Sequence, residues 1–509
     1  MKNITLEDKL KLFMGKSTWE FNENKDLNIR SLRVNDGPHG LRKIIFDDSQ
    51  RKETTCFPTA VNLASTFNPS LIKKVGKSIA LECKEAKVHV ILGPGINLKR
   101  TPLGGRCFEY YSEDPYLTGV TAKAFIEGVQ SQKVGTSLKH FICNEQEYYR
   151  LTSSSEVDDL AFYNLYLKAF KIALKAKPTT VMASYNKLNG TYTTENKKLL
   201  IDILRNSLKY DGIVISDWGA INSLSEAIKN GTNIEMPYSG EERLEILKKA
   251  YHDGILTDEI IDKRIKEIQS IQNRIYDESV DYYAPLDVHH KLSKKVSDES
   301  IILLKNDGAL PLDKKKKTLF VGEFCNNLII QATGSAKVAC PNKTEINSYL
   351  ESKKYPFDYL KGYKINEENV DETLEKQVLD AATNYDQVVM LMGLYEGLEG
   401  EGYDRFSYNL PKNQLHLLDK LISLGIKVNV VLVGGSAVAL PFNDDVASLI
   451  NAYLPGESGA ESIIDILYGD VNPSGRLSET YAISLSDIPA AKYNAGNNAV
   501  NYKESVYIG

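Results

Sequence analysis

Twice along this chain, short apolar runs that end in polar side chains alternate with amphipathic helical stretches, and a parallel sheet covered by helices is the arrangement that buries both. In residues 1–276 the apolar runs are "SLRVND", "VHVILGP", "TSLKHF", "TTVMASYN", "GIVISDW" and, more weakly, "GTNIEMP". The helices between them are well signalled. In "NPSLIKKVGKSIALECK" Asn68 is placed to cap, Pro69 suits the first helical position, and Leu71, Ile72, Val75 and Ile79 share a face. "SGEERLEILKKAY" offers a Ser239/Glu242 capping box ahead of its own stripe. The expectation is a (β/α)8-type, TIM-like barrel, left open as incomplete because one helix precedes the first clear strand in only about 276 residues.

The second alternation starts after "DESVDYYAPLDVHHKLSKK", residues 277–295, which is polar, lacks sustained periodicity and reads as a linker. "KTLFVGE", "DQVVMLMGL", "KVNVVLVGG" and "VASLINAYLPG" are buried-strand candidates with helices such as "PKNQLHLLDKLISLG" between them. This predicts a doubly wound α/β sandwich over 296–490, followed by a tail, 491–509. A chain of 509 residues is long enough for both units.

A net charge of -5 gives no basic excess for nucleic acid. The N-terminal "MKNITLEDKLKLF" has no apolar signal core, and the apolar runs are shorter than a membrane span, so a cytoplasmic protein with no membrane segment is expected. Six cysteines without a CxxC pair argue for reduced thiols, and seven histidines without HExxH spacing give no support for a metal. No cofactor is expected; "GPGINLKRTPLGG" lacks both glycine orders of a phosphate cradle.

The polar ends of the barrel strands converge on one rim, where active sites of such barrels are built. That rim collects Asp36, Arg42, Arg100, Arg106, Lys139, His140, Tyr185, Asp217 and Trp218. Charged groups for hydroxyls and an aromatic face for C–H surface suit a sugar ring. Singly, each has a bland explanation: "DGPHG" is a turn at roughly even odds, and Asp217 is a helix cap in roughly two cases of three. Five strand ends carrying such residues together shift the balance. From the second unit, "GLYEGLEGEGYDR" (393–405), with four glycines and four acidic residues, is a loop long enough to reach the barrel mouth; "QATGSAKV" around Ser335 is another. Both have a solvated surface loop as the alternative.

The ordered series "NDGPHGLRK", "LGPGINLKRTPLGGRCFEYYSEDPYLTG", "LKHFICNEQE", "MASYNKLNGTYTTEN", "VISDWGA", "ESIILLKNDGALPL", "EGYDR" and "VNPSGRLSET" resembles glycoside hydrolase family 3, in its β-glucosidase branch, over nearly the whole chain. The resemblance implies a barrel followed by an α/β sandwich, with the active site between them. It implies Asp217 as nucleophile, Glu401 as acid/base, and sugar contacts from Asp36, Arg42, Arg106, Lys139, His140, Tyr185 and Trp218, with Arg150 and Ser335 as further contacts. No histidine follows His140 in "KHFICNEQEYYRLTSSS", which disfavours the β-N-acetylhexosaminidase branch. Relatives continue into a fibronectin-like domain where this chain stops at Gly509, so a naturally short form or a fragment is expected.

The implied activity is a retaining exo-β-glucosidase working by double displacement on small glucosides, with the two carboxyls about 5 to 5.5 Å apart. Cations around Asp217 are expected to keep it ionised, and Glu396 and Glu399 to favour a protonated Glu401. The alternatives are the same mechanism on β-xylosides or α-L-arabinosides, a catalytically silent carbohydrate-binding protein, and a structural partner in an assembly.

Overall fold

The computed structural model describes residues 4–42, 53–340, 343–493 and 498–508. Five parallel strands stand side by side in chain order: β1 (Val34–Asp36), β2 (Val90–Leu92), β3 (Gly135–Phe141), β4 (Thr180–Ala183) and β5 (Ile213–Ser216). Every residue in them is buried, which explains their continuous rather than alternating apolar pattern.

The ring closes through single bridges. Ile234 pairs with Ile215 of β5, Glu235 with Met14, Gly15 with Phe21, and Glu20 with Arg33 just before β1. Eight segments therefore surround the axis, and the one at Glu20 and Phe21 runs antiparallel to both neighbours. The "GTNIEMP" run joins the barrel without becoming a regular strand, because its contacts are limited to bonds such as Asn233 N to Val214 O and Glu235 N to Phe13 O. Segments this short carry too few residues for a period-two signal, so the closure was hidden in sequence.

Helices α1 (Pro69–Glu85) and α2 (Pro115–Gln130) pack together outside β2 and β3. The Asn68 side chain accepts from Leu71 N, and Leu71, Ile72, Val75 and Ile79 face the core. The expected Ser239/Glu242 capping box does not form. The helix there is Glu241–His252, its cap is Gly240 at φ +94°, and Ser239 Oγ turns back to Pro237 O.

The stretch read as a linker contains the start of helix α3 (Leu286–Ser300). Its buried face is His289, Ser293, Val296, Ser297 and Ser300, so its one-sided pattern is small and polar rather than apolar. His289 Nδ1 lies 2.6 Å from Glu82 Oε1, and Ser300 Oγ accepts from Asn62 Nδ2. Hydrogen bonds do here what apolar burial does on other helices.

The second unit holds β6 (Ile302–Asn306), β7 (Thr318–Val321), β8 (Phe357–Leu360), β9 (Gln387–Gly393), β10 (Val428–Val433) and β11 (Ser448–Tyr453), in the spatial order β8-β7-β9-β10-β11-β6. All pairs are parallel except β11 with β6. The winding reverses between β7 and β9, and loops leaving the carboxyl ends of strands at such a reversal border a crevice. The loops carrying Ser335 and Glu401 follow β7 and β9 respectively.

The last described segment docks on the barrel. Ala499, Val500 and Asn501 pair with Ser154, Ser155 and Glu156, and Val500 and Tyr502 join the barrel core. Arg100, expected at the rim, is instead bound by Glu504, donating from Nη2 to Oε2 at 2.9 Å with its guanidinium 4.1 Å over the Tyr502 ring.

Candidate active site

The barrel supplies the buried half of the site. Asp36 ends β1, Lys139 and His140 lie in β3, Tyr185 follows β4, and Asp217 follows β5. Asp217 N donates to Ala183 O, which extends the β4–β5 ladder by one residue to the rim. Its Oδ1 accepts from Trp218 N at 2.7 Å, so it caps no helix, and His140 Nε2 stands 3.7 Å from its Oδ2. Lys139 Nζ lies 3.1 Å from Glu109 and 3.5 Å from Asp36. Glu109 also takes both arms of Arg106, at 2.8 and 2.9 Å. Four ionisable groups are thus buried as mutual partners, the condition under which charges remain charged inside a protein. Trp218 is half-buried, donates to Thr18 O and packs on Trp19 with ring centroids 5.3 Å apart.

The sandwich supplies Glu401 on a loop stitched to the barrel. Gly400 N donates to Gly105 O and Arg405 N to Leu103 O of the barrel, while Glu401 N donates to Thr333 O of the sandwich itself. The Asp404 carboxylate accepts from Gly105 N, Glu147 N and Tyr148 N. A side chain at position 105 would put a Cβ 1.8 Å from Tyr403 O, which explains the second glycine of "GGR". Gly334, at φ +118°, lies so close to Glu401 that a Cβ would sit 2.5 Å from its Cβ.

Glu401 meets three groups. Arg150 Nη1 donates to its Oε1 at 3.0 Å, Arg106 Nη1 stands 3.6 Å from the same oxygen, and Ser335 N donates to Oε2 at 2.7 Å. Arg150 lies over the Tyr185 ring at 4.5 Å, and Tyr185 lies against Asp217, so a continuous chain of contacts joins the two carboxyls. Arg42 Nη1 donates to Ser335 O at 3.3 Å and stands 3.7 Å from Asp36, closing the ring of residues. Among the described residues, Asp217 Oδ2 and Arg106 Nη1 are buried without a hydrogen-bond partner, two polar atoms offered to a ligand.

The charges contradict the electrostatic expectation. Burial raises the Asp217 carboxyl above its usual range, Glu401 adding to this and Arg106 and Lys139 only partly offsetting it. Burial pushes Glu401 upward too, but Arg106, both Ser335 groups and Arg150 outweigh it and hold that carboxyl well below the usual range. Glu396 and Glu399 do not press on Glu401: Glu396 pairs with Lys337 at 2.8 Å, and Glu399 accepts from Gly435 N. Burial likewise lifts Asp36 to about 6, with Lys139 opposing. Glu109, despite burial, is drawn down to about 2 by Arg106 and Lys139. Burial and the neighbouring Arg106 keep His140 neutral.

The eleven residues that the resemblance implies are therefore joined in one network of contacts, with Ser335 contributing its backbone amide to Glu401 and Arg100 lying outside it. Sequence reading missed Glu109, Glu147 and Asp404. Glu109 left a signal, a lone carboxylate inside the aromatic run "CFEYY"; the other two act on backbone across the domain boundary and left none. Two surface cavities of 540 and 520 Å³ are lined by residues such as Arg30 and Tyr276, or Phe67 and Tyr116, and by none of these groups. Charge and hydrogen bonding, rather than cavity size, locate the site. Among the described residues no group of three or more His, Cys, Asp or Glu side chains could hold a metal ion, and no helix is long and apolar enough to cross a membrane.

Comparison with known proteins finds the glycosyl hydrolase family 3 N terminal domain over residues 6–271 and the C-terminal domain of the same family over 301–509. The chain is 37% identical to thermostable beta-glucosidase B of Acetivibrio thermocellus, covering 100% of this chain and 69% of that protein. It is also 37% identical to an exo-alpha-(1->6)-L-arabinopyranosidase of Bifidobacterium longum, covering 100% and 70%. Among solved structures, a beta-glucosidase of Bifidobacterium adolescentis superposes with a TM-score of 0.94 at 37% identity, covering 100% of this chain and 75% of the other. Beta-glucosidase 3B of Thermotoga neapolitana in complex with glucose gives 0.93 at 30% identity, covering 99% and 79%.

Proposed function

The chain belongs to glycosyl hydrolase family 3 and is a glycoside hydrolase, and from that premise we propose that it is a retaining exo-β-glucosidase in which Asp217 is the nucleophile and Glu401 the acid/base. The observation that carries this reading is that carboxylates from two halves of the chain share one arginine: Arg106 stands 3.6 Å from Glu401 and also acts electrostatically on Asp217.

In the first step Asp217 attacks the anomeric carbon while Glu401 protonates the departing oxygen. In the second, Glu401 takes a proton from water, which cleaves the glycosyl ester. Burial leaves Asp217 short of compensating charge, and the positive charge that builds on the sugar in the transition state is the partner it lacks. Glu401 needs its proton for the first step. Sugar hydroxyls that enter compete for the Arg106 and Arg150 N–H groups and displace water, and both effects lift the Glu401 carboxyl. Asp36, Arg42, Lys139 and neutral His140 are read as hydroxyl partners, and Trp218 as the apolar platform.

Two separate apolar cores support a division into a barrel of 1–276 and a sandwich of 296–490, the stretch between them passing into α3. Six free thiols support a reducing, cytoplasmic setting. The equal identity to an arabinopyranosidase favours one second reading, the same mechanism on α-L-arabinopyranosides. A panel of aryl glycosides assayed beside Asp217→Ala tests both. The highest kcat/KM is expected on the β-glucoside; full activity in the variant, or glucose binding with no glycoside hydrolysed, would sink the proposal.

A further inference from the structure

One side chain in the barrel touches both the Glu401 loop and the cation that holds Glu401, yet the mechanism above does not use it. Glu147 is 3% exposed and lies in the loop after β3. Its Oε2 accepts from Arg150 Nη1 at 2.6 Å and from Gly402 N at 2.8 Å. The same Arg150 Nη1 donates to Glu401 Oε1 at 3.0 Å. One guanidinium nitrogen is therefore shared between two carboxylates, and one of those carboxylates also fixes the peptide next to the other. Its own backbone is fixed as well, because Glu147 N donates to Asp404.

We propose that Glu147 is a positioning residue for Glu401: it holds the acid/base loop by the Gly402 amide and takes part of the Arg150 charge that would otherwise fall on Glu401 alone. The inference rests on the reading of Glu401 as acid/base.

The sign follows from the surroundings. The groups facing Glu147 are Arg150 on its own loop, Arg106 and Tyr110 on the loop after β2, and Glu401, the Gly402 amide and, at its own backbone amide, the Asp404 carboxylate on the sandwich loop. Burial lifts the Glu147 carboxyl to about 7, with Arg106 and Arg150 pulling the other way. It gains charge as pH rises through neutrality, in the range where Glu401 has to keep its proton. A negative Glu147 repels a negative Glu401 and draws on Arg150, so it favours protonated Glu401. A neutral amide at 147 can still accept from Gly402 N but does neither of these things.

The test compares wild type, Glu147→Gln and Glu147→Asp in the full chain. One substrate is a dinitrophenyl β-glucoside, whose leaving group departs without protonation; the other is an alkyl β-glucoside, which needs it. Glu147→Gln is expected to lose about tenfold or more in kcat/KM on the alkyl glucoside and less than about threefold on the dinitrophenyl one, and the alkaline limb of its pH profile is expected to move down by about one unit. The dinitrophenyl rate also reports the fraction of intact sites. Glu147→Asp keeps the charge and is expected to return the limb toward wild type.

A wild-type limb with an unchanged ratio between the two substrates in Glu147→Gln would overturn the inference. Equal losses on both substrates would do the same, as that is the mark of a purely structural role, and so would a Glu147→Asp limb displaced as far as that of Glu147→Gln. If Glu401→Ala itself slows both substrates equally, the acid/base reading fails first; if Glu401→Ala is selective and Glu147→Gln is not, only this inference fails.

Discussion

Asp217 extends a strand ladder, with its amide bonded to Ala183 O, whereas Glu401 sits on a loop held by its own Tyr403, by the neighbouring sandwich loop and by the barrel. Thr333, Gly105, Glu147 and Ser335 hold that loop or its carboxyl, and the Asp404 carboxylate gathers three amides of the barrel. In the proposed mechanism the nucleophile is therefore positioned by a strand ladder, and the acid/base by a loop fastened both within the sandwich and across the interface with the barrel. Damage to the interface should fall on proton transfer and spare nucleophilic attack.

The largest break in that comparison is Asp217→Ala. With Asp217 as the proposed nucleophile, its loss leaves the first step no route, and kcat on an aryl β-glucoside should fall at least on the order of 10⁴-fold. Glu401→Ala comes next. On substrates with poor leaving groups kcat/KM should fall on the order of 10²- to 10⁴-fold, with little change in kcat/KM on a dinitrophenyl glucoside, where kcat falls and is partly restored by azide. Similar losses on both substrates would remove the distinction between the two regions.

Glu109→Gln tests the barrel side without touching either carboxyl. It leaves Arg106 and Lys139 buried with half their compensation, and a loss of about 3–5 kcal/mol of stability in denaturant unfolding is expected. The pH dependence has a definite sign. Because the folded carboxyl is drawn down to about 2 from its ordinary 4.5, its contribution is present above about pH 4.5 and disappears as pH falls toward 2. The wild type should show that acid loss, and Glu109→Gln should lack it.

Asp404→Asn is the mildest change and aims at the interface. It weakens three charge-assisted bonds to amides. About a tenfold loss is expected on an alkyl glucoside and a smaller one on a dinitrophenyl glucoside, read from the ratio of kcat/KM values. Equal loss on both would mean that the loop positions the sugar as well as the proton.

The strand-helix alternation and the polar strand ends made the five barrel strands, four of the six sandwich strands and the Asp217 rim legible from sequence, because buried parallel strands advertise themselves as apolar runs. The sandwich edge strands β6 and β8 are only partly buried and were not legible in that way. Helix α3 was not legible, since its buried face is His289, Ser293, Ser297 and Ser300 with only Val296 among them. The barrel closure escaped for a different reason, being made of single bridges at Met14, Glu20 and Ile234. Glu401 could be found by resemblance, but its charge could not. Neighbours in sequence, Glu396 and Glu399, turn to Lys337 and Gly435, and the groups that decide its protonation, Arg106 and Arg150, lie some 250 to 300 positions away.

The division of labour between the two carboxyls is tested most directly by trapping the glycosyl-enzyme. Glu401→Ala is incubated with a dinitrophenyl β-glucoside, which can load the enzyme without an acid but leaves it slow to unload, and the digested protein is mapped by mass spectrometry. The account predicts one hexose on the peptide containing Asp217, removed when azide is added. A hexose carried by any other carboxylate, or steady release of inverted sugar with no covalent adduct, would contradict it.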